Sequence, residues 1–179
     1  MRPLAACTTI TAALALAACA GTRTAPSPAA PLPATAELRD AQGRVVGTAR
    51  ALQDTAGVRI TVEVRGMPPG PHGIHLHAVG TCTPPDFASA GPHFNPAGMR
   101  HGLETPEGAH AGDLPNLAVT ADGTGSTVFV NPRVTLGIGL NSLFDADGTA
   151  IVVHAAPDDQ RTDPSGASGG RLACGIFRR

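Results

Sequence analysis

The histidine-rich stretch at residues 71–80, PHGIHLHAVG, constrains the fold of this chain more than any other segment. His75 and His77 are two residues apart, and side chains at that spacing lie on the same face of a β-strand. A strand would therefore direct both imidazoles toward one point. Imidazole nitrogens bind zinc, copper, iron and nickel. Taken alone, the pair is equally consistent with a metal site and with two histidines on a polar strand face. The rest of the chain is needed to distinguish these two interpretations.

The remaining histidines fall within short motifs. They are His93 in AGPHFNP, His101 in RHG, His110 in HAGD, and His154 at the end of the apolar run AIVVH. Asp113 follows His110 by three residues and adds a carboxylate to the imidazole donors. Three histidines and one aspartate form a ligand set that tetrahedral zinc accepts. The clustering therefore indicates a metal centre and not scattered surface histidines.

With these motifs in order, HGIHLH, AGPHFNP, HAGDLPN, VVH and GGRLACG, the chain resembles the copper,zinc superoxide dismutases. The resemblance runs from residue 36 to residue 177. It implies an all-β fold, a Greek-key β-sandwich or flattened eight-stranded barrel with two long functional loops. It also implies an enzyme that converts superoxide to dioxygen and hydrogen peroxide, with copper and zinc as cofactors, and that protects the cell envelope from superoxide.

The resemblance assigns a role to each motif residue. The copper positions are His75, His77, His93 and His154. The zinc positions are His93, His101, His110 and Asp113. His93 belongs to both sets and takes part in catalysis, because its two ring nitrogens bridge the metals. Arg171 matches the arginine that attracts and orients the superoxide anion, and Asp158 matches an aspartate that accepts hydrogen bonds from His75 and His101.

Two further residues complete this picture, and one alternative function stays open. His72 is not a ligand position in the family, so we interpret it as a structural histidine. Arg161, in the second loop, would add positive charge that attracts the anion. The alternative is a non-catalytic copper-binding or copper-storage module. Loss of His93, of a copper histidine or of Arg171 would have favoured that alternative, and none of them is missing.

Composition and periodicity independently favour an all-β domain. The chain has 22 Gly and 17 Pro, with no Trp and no Tyr, which is typical of a turn-rich protein. Residues 57–65 alternate between apolar and polar side chains, as a half-buried strand does. Hairpins are predicted over residues 36–52 and 117–130, and the aperiodic residues 81–114 and 157–170 form the two loops. The net charge of −1 makes nucleic acid an unexpected partner.

The amino terminus reads as a bacterial lipoprotein signal. Arg2 supplies a positive charge, residues 4–16 are mostly apolar but too short to span a bilayer, and LAAC ending at Cys19 resembles a lipobox. Residues 1–18 would be removed, leaving lipidated Cys19 and a Pro/Ala-rich tether over residues 19–35, followed by the domain at residues 36–179. We therefore expect an exported protein, in the periplasm or at the cell surface, anchored to the membrane by its lipid. Ordinary cleavage with a soluble product is the alternative.

The cysteine count follows from this processing. Removal of Cys7 and lipidation of Cys19 leave Cys82 and Cys174, and two cysteines in an exported domain suggest one disulfide. The family pairs the same two positions, whereas two free buried thiols are the alternative. Superoxide is the expected small-molecule partner. A homodimer stays open, because the segment between Cys82 and His93 borders the dimer contact in some relatives and is longer here.

Overall fold

The computed structural model describes residues 31–179, which form an all-β domain with one short 3₁₀ turn at Ala88–Ala90. The strands are β1 (Ala34–Asp40), β2 (Val45–Asp54), β3 (Gly57–Val64), β4 (Gly70–His72), β5 (Ile74–His77), β6 (Leu117–Val119), β7 (Gly125–Asn131), β8 (Ala150–His154) and β9 (Arg171–Ile176). β1 takes up the last two residues of the predicted tether. The predicted signal peptide and Cys19 lie outside the described residues. Within residues 31–179, no helix has the length and apolar character needed to cross a membrane.

Antiparallel pairing joins most strands into one curled sheet. Its order is β5-β8-β9-β1-β2-β3-β7, and a second ladder joins β4 to β6. Only Gly73 separates β4 from β5, so one continuous run pairs first with β6 and then with β8. The nine segments are therefore the eight strands of a flattened Greek-key barrel, and the predicted fold class is confirmed.

The barrel core is built from strands whose side chains alternate between the interior and solvent. Along β3, Val58, Ile60, Val62 and Val64 are buried while most of the residues between them are exposed. β1 shows the same alternation. Burying one aliphatic side chain of this size contributes about 1.5–3 kcal/mol, which is why a period of two specifies the inner face. The strand predicted over residues 57–65 is confirmed.

The two predicted hairpins have different outcomes. β1 and β2 pair as expected, around the turn at residues 41–44. The hairpin predicted over residues 117–130 is wrong, because β6 pairs with β4 and β7 pairs with β3. The reversal itself is present, with the Thr120 amide donating to the Thr124 carbonyl at 2.8 Å. A turn signal predicts that the chain reverses, but the core decides which ladder each strand joins.

The long loop at residues 81–114 is fastened to β5 by backbone hydrogen bonds. The Leu76 amide donates to the Gly112 carbonyl at 2.9 Å, and the Leu76 carbonyl accepts from the Phe94 amide at 2.8 Å. Gly112 approaches β5 so closely that a Cβ atom there would lie 2.3 Å from the Leu76 carbonyl oxygen. Only glycine fits that position. The disulfide between Cys82 and Cys174 joins the same loop to β9, so the predicted disulfide is present.

Candidate metal centre

Four buried histidines converge beside β5 and β8; we call them the four-histidine group. His75 and His77 project from β5, His154 ends β8, and His93 comes from the long loop, where it forms a β-bridge with His77. Their donor atoms all lie within 4.8 Å of one another. The Nε2 atoms of His77 and His154 are 3.4 Å apart. The four residues that sequence analysis assigned to copper are therefore brought together.

Acceptors on the outside of this group determine where the ring protons lie. The outer contacts are His77 Nδ1 to the Gly91 carbonyl at 2.8 Å, His154 Nδ1 to the Gly169 carbonyl at 3.3 Å, and His75 Nε2 to the Asp158 carboxylate at 2.7 Å. Each outer nitrogen donates its N–H, so each inner nitrogen keeps a lone pair. His75 Nδ1 and His93 Nε2 are buried without a hydrogen-bond partner among the described residues. The lone pairs of these two buried nitrogens are available to bind a metal ion.

Burial also favours the neutral rings that metals require. It lowers the pKa of His77 to about 2, that of His154 to about 3 and that of His93 to about 4, and it lowers the pKa of His75 as well. Loss of hydration penalises the imidazolium, and neighbouring rings and Arg171 add repulsion in the case of His77 and His154. At neutral pH the four rings are therefore in their ligand form.

A second group, the His₃Asp group, surrounds one carboxylate oxygen. Asp113 Oδ1 lies 3.0 Å from His93 Nδ1, 3.0 Å from His101 Nδ1 and 3.3 Å from His110 Nδ1. A tetrahedral zinc ion with bonds of about 2.0 Å separates its ligand atoms by roughly 3.3 Å. The second oxygen, Oδ2, accepts from the amides of Gly102 at 2.8 Å and His110 at 2.9 Å, which fixes the carboxylate. The separations and the donor set fit zinc.

Charge within this second group favours a cation. Burial opposes ionisation of Asp113, but the hydrogen bonds from the three histidines outweigh it and hold its pKa below the usual range. Burial likewise opposes protonation of His101, yet the hydrogen bonds to Asp113 and Asp158 raise its pKa to about 9. An ion that binds here must displace the His101 proton, so binding releases protons.

His93 and Asp158 connect the two groups. The Nδ1 atom of His93 lies 3.0 Å from Asp113 in the His₃Asp group, which leaves its buried, unpartnered Nε2 atom for the four-histidine group among the described residues. Asp158 lies behind both groups, with Oδ2 2.7 Å from His75 Nε2 and Oδ1 3.0 Å from His101 Nε2. Its neighbour Asp159 is exposed and contacts neither ring. The structure thus places Asp158 at the two rings that sequence analysis named.

Arg171, the first residue of β9, lies at a small pocket over the four-histidine group. Its guanidinium donates to the Phe87 carbonyl at 2.6 Å and to the Gly91 carbonyl at 2.8 Å. Burial lowers the pKa of Arg171, although a guanidinium keeps its charge at neutral pH. The pocket has a volume of about 200 Å³ and is lined in part by His77, His93 and His154. It suits a small anion and is too small for a bulky organic ligand.

Comparison with known proteins identifies the family. Residues 42–177 match the family model for copper/zinc superoxide dismutase (SODC). The chain belongs to the copper/zinc superoxide dismutase family. It is 46% identical to Cu-Zn superoxide dismutase 2 of Aquifex aeolicus, over 82% of this chain and 87% of that protein. It is 41% identical to the Cu-Zn superoxide dismutase of Caulobacter vibrioides, over 81% and 85%.

A solved structure of a similar protein has the same fold. The SOD-like protein from Bacillus subtilis superposes with a TM-score of 0.77 at 38% identity, covering 79% of this chain and 96% of that one. As a member of the copper/zinc superoxide dismutase family, the protein is an oxidoreductase that dismutates superoxide and uses copper and zinc.

Two sequence interpretations can be compared directly with this dismutase fold. Arg161 forms an ion pair with Glu104, with Nε 2.8 Å from Oε2. Its charge is therefore compensated, and the expectation that it adds free positive charge is wrong.

His72 Nδ1 lies 2.7 Å from the His154 carbonyl oxygen and Nε2 lies 2.8 Å from the Pro68 carbonyl oxygen. It belongs to neither histidine group, as its structural interpretation predicted.

Sequence analysis missed two residues that hold residues 110–113, the segment that carries His110 and Asp113. Asn131 Nδ2 donates to the Ala111 carbonyl at 2.7 Å. Arg133 donates to the carbonyls of His110 at 3.1 Å and Asp113 at 2.8 Å. The available signal was the Asn-Pro-Arg sequence at the end of an alternating strand. The sequence does not show which groups these side chains bind, because the carbonyls that accept their hydrogen bonds are about 20 residues away along the chain.

Proposed function

We propose that the four-histidine group of this dismutase holds copper, that the His₃Asp group holds zinc, and that His93 bridges them. One observation carries the proposal: His93 presents one nitrogen to each group, and its Nε2 atom is buried without a partner among residues 31–179. Copper, when bound, supplies the one-electron oxidation and reduction of superoxide. Overall, two superoxide anions and two protons become one dioxygen and one hydrogen peroxide.

The residues of the chain guide the anion and supply a proton. Arg171 is the basic side chain in the pocket at the four-histidine group, so its charge attracts superoxide and its donors orient the anion. His93 Nε2 is the nitrogen that takes up a proton in one half of the cycle and donates it in the other. Asp158 keeps the rings of His75 and His101 oriented, because it accepts from both.

Metal analysis tests the ligand proposal. The purified protein is stripped with a chelator, reloaded with zinc and then with copper, and assayed for bound metal and superoxide turnover at each step. We expect one zinc and one copper per chain, with turnover returning only after copper is added. Copper that binds stoichiometrically without restoring turnover would instead favour the copper-storage alternative. Turnover in the copper-free protein would overturn the proposal.

We further propose that the protein is exported, lipidated at Cys19, and protects the cell envelope from superoxide. Support comes from the LAAC motif that ends at Cys19 and from the Pro/Ala-rich residues that follow. Cys19→Ser should release an active soluble protein, because the candidate metal ligands and Arg171 all lie within residues 75–171. Metabolic lipid labelling that misses Cys19 in the wild type would contradict this. Sedimentation of the soluble variant also tests the homodimer that the sequence leaves open.

A further inference from the structure

Three large aliphatic side chains protrude at one end of the barrel; we call Leu32, Ile138 and Leu140 the apolar tip. Their exposed fractions are 65%, 101% and 88%. Glycines at positions 137 and 139 flank Ile138 within the irregular segment between β7 and β8. Side chains this open contribute nothing to the core, and several of them together at one end indicate a contact surface.

The apolar tip lies where the chain enters the domain. A Cβ atom on Gly137 would lie 3.9 Å from Pro31 Cγ, so the segment that precedes β1 lies beside the loop that carries Ile138. Cys19, the proposed lipid site, is followed by residues 20–30 before this point. Fully extended, those residues span at most roughly 40 Å. The end of the barrel that carries the apolar tip is thus the end from which the lipid tether departs.

Two arginines add positive charge at the same end. Arg178 pairs through its backbone with Thr35 at the start of β1, and Arg179 donates to the Leu136 carbonyl. Neither forms an ion pair within the described part of the chain. Exposed arginines beside aliphatic side chains suit the surface of a membrane that contains anionic lipids.

We propose that the apolar tip inserts into the surface of the membrane that holds the Cys19 lipid, so that the dismutase is docked on the bilayer and does not swing freely on its tether. This inference rests on the proposed lipidation. Three side chains give a weak contact on their own, but a short tether raises the effective concentration of the surface to the millimolar range, where weak contacts suffice. Insertion is shallow, because Leu140 borders a cleft that is also lined by Asp145, Asp147 and the candidate ligands His93 and His110, and these polar side chains stay in water.

The absence of tryptophan from the chain permits a specific test. Ile138→Trp introduces a single indole at the apolar tip. Gln42→Trp is the matched control, since it places the indole in the exposed β1–β2 turn at the opposite end of the barrel, about 20 Å away along β1. Both full-length proteins are reconstituted into vesicles of phosphatidylcholine and phosphatidylglycerol with brominated acyl chains. We expect Ile138→Trp to lose more than about half of its emission and to shift to shorter wavelength, and Gln42→Trp to do neither.

The outcomes separate this inference from the lipidation on which it rests. Protein that fails to float with the vesicles would show that Cys19 carries no lipid. Protein that floats while the indole of Ile138→Trp stays unquenched would overturn docking and leave the anchor intact. The double variant Cys19→Ser, Ile138→Trp is also measured without vesicles. If its emission shifts as the protein concentration rises, a second copy of the chain covers the apolar tip and docking on the membrane is overturned. Superoxide turnover should be unchanged in both tryptophan variants, because neither position lines the pocket at Arg171.

Discussion

Single nitrogen atoms distinguish the two metal groups of this dismutase. His154 contributes only to the four-histidine group, because its Nε2 atom is 3.4 Å from His77 Nε2 and its Nδ1 atom is held by a backbone carbonyl. His110 contributes only to the His₃Asp group. If the four-histidine group holds copper and the His₃Asp group holds zinc, as proposed, these two positions can be used to remove one metal at a time. His93 cannot be used in this way, because both groups share it.

His154→Ala should lose copper and dismutation but keep zinc. Removal of an outer hydrogen-bond partner costs about 10–100-fold in metal affinity or activity, so loss of a ligand should reduce turnover by about 100-fold or more. His110→Ala is the matched variant and should weaken zinc while retaining some copper activity. Metal content and turnover are measured on both proteins side by side. Full turnover in His154→Ala would show that the copper assignment is wrong.

Arg171→Ala should retain both metals and react more slowly with superoxide. Local positive potential raises the association rate of a charged substrate by about 10–1,000-fold, so kcat/KM should fall by at least about tenfold. The loss should shrink as ionic strength rises, because salt screens the attraction. Arg161→Ala is the control and should change kcat/KM little, since Glu104 already compensates that charge. Loss of copper in Arg171→Ala would assign it a structural role instead.

At the scale of elements, β5 is the common support of both groups. It carries His75 and His77 on one face, and the backbone of Leu76 binds two separate parts of the long loop. The loop has almost no regular structure of its own, so these backbone contacts, the disulfide and the proposed zinc hold its shape. Gly112 lies so close to β5 that a Cβ atom there would clash with the Leu76 carbonyl oxygen.

Gly112→Ala should destabilise the loop and weaken zinc binding. The added methyl group would lie 2.3 Å from the Leu76 carbonyl oxygen, and relief of such overpacking costs about 1–3 kcal/mol. Gly170→Ala is the control, because nothing lies within 4 Å of a Cβ atom there, and its effect should stay within about 0.5 kcal/mol. Guanidinium denaturation and zinc titration provide the measurements. Equal stability of the two variants would contradict this account of Gly112.

At the scale of the whole molecule, the disulfide joins parts of the chain that are far apart in sequence. Cys82 and Cys174 are separated by 92 residues, and their bond connects the long loop to β9. Arg171 starts β9, and its guanidinium is bound to the Phe87 and Gly91 carbonyls of that loop. The disulfide therefore supports both global stability and the geometry of the anion pocket.

Removal of the disulfide by Cys82→Ser together with Cys174→Ser should lower the free energy of unfolding by about 4–5 kcal/mol, on the chain-entropy model for a loop of this length. The denaturation midpoint of the metal-loaded protein is compared with that of the wild type. kcat/KM should also fall, because Arg171 loses part of its support. Unchanged values of both the midpoint and kcat/KM would mean that the hydrogen bonds of Arg171 and the metals alone maintain this region.

The sequence by itself determined the chemistry. The spacing of His75 and His77, the order of the histidine motifs and the alternation of β3 depend on local geometry, since a strand directs every second side chain to one face. Resemblance to the family added the grouping of ligands, the role of Asp158 and the disulfide partners. These assignments agree with where the structure places the residues.

Only the tertiary structure decided features that depend on distant partners. The sequence interpretation paired β6 with β7, whereas the structure puts them in different ladders. It also did not foresee that Arg161 pairs with Glu104. Nor did it foresee that Asn131 and Arg133 donate hydrogen bonds to the backbone of residues 110–113. Each involves groups that local pattern cannot bring together. The physical reason is that a side chain's type and spacing specify what it can bind, whereas packing of the whole barrel specifies what lies within its reach.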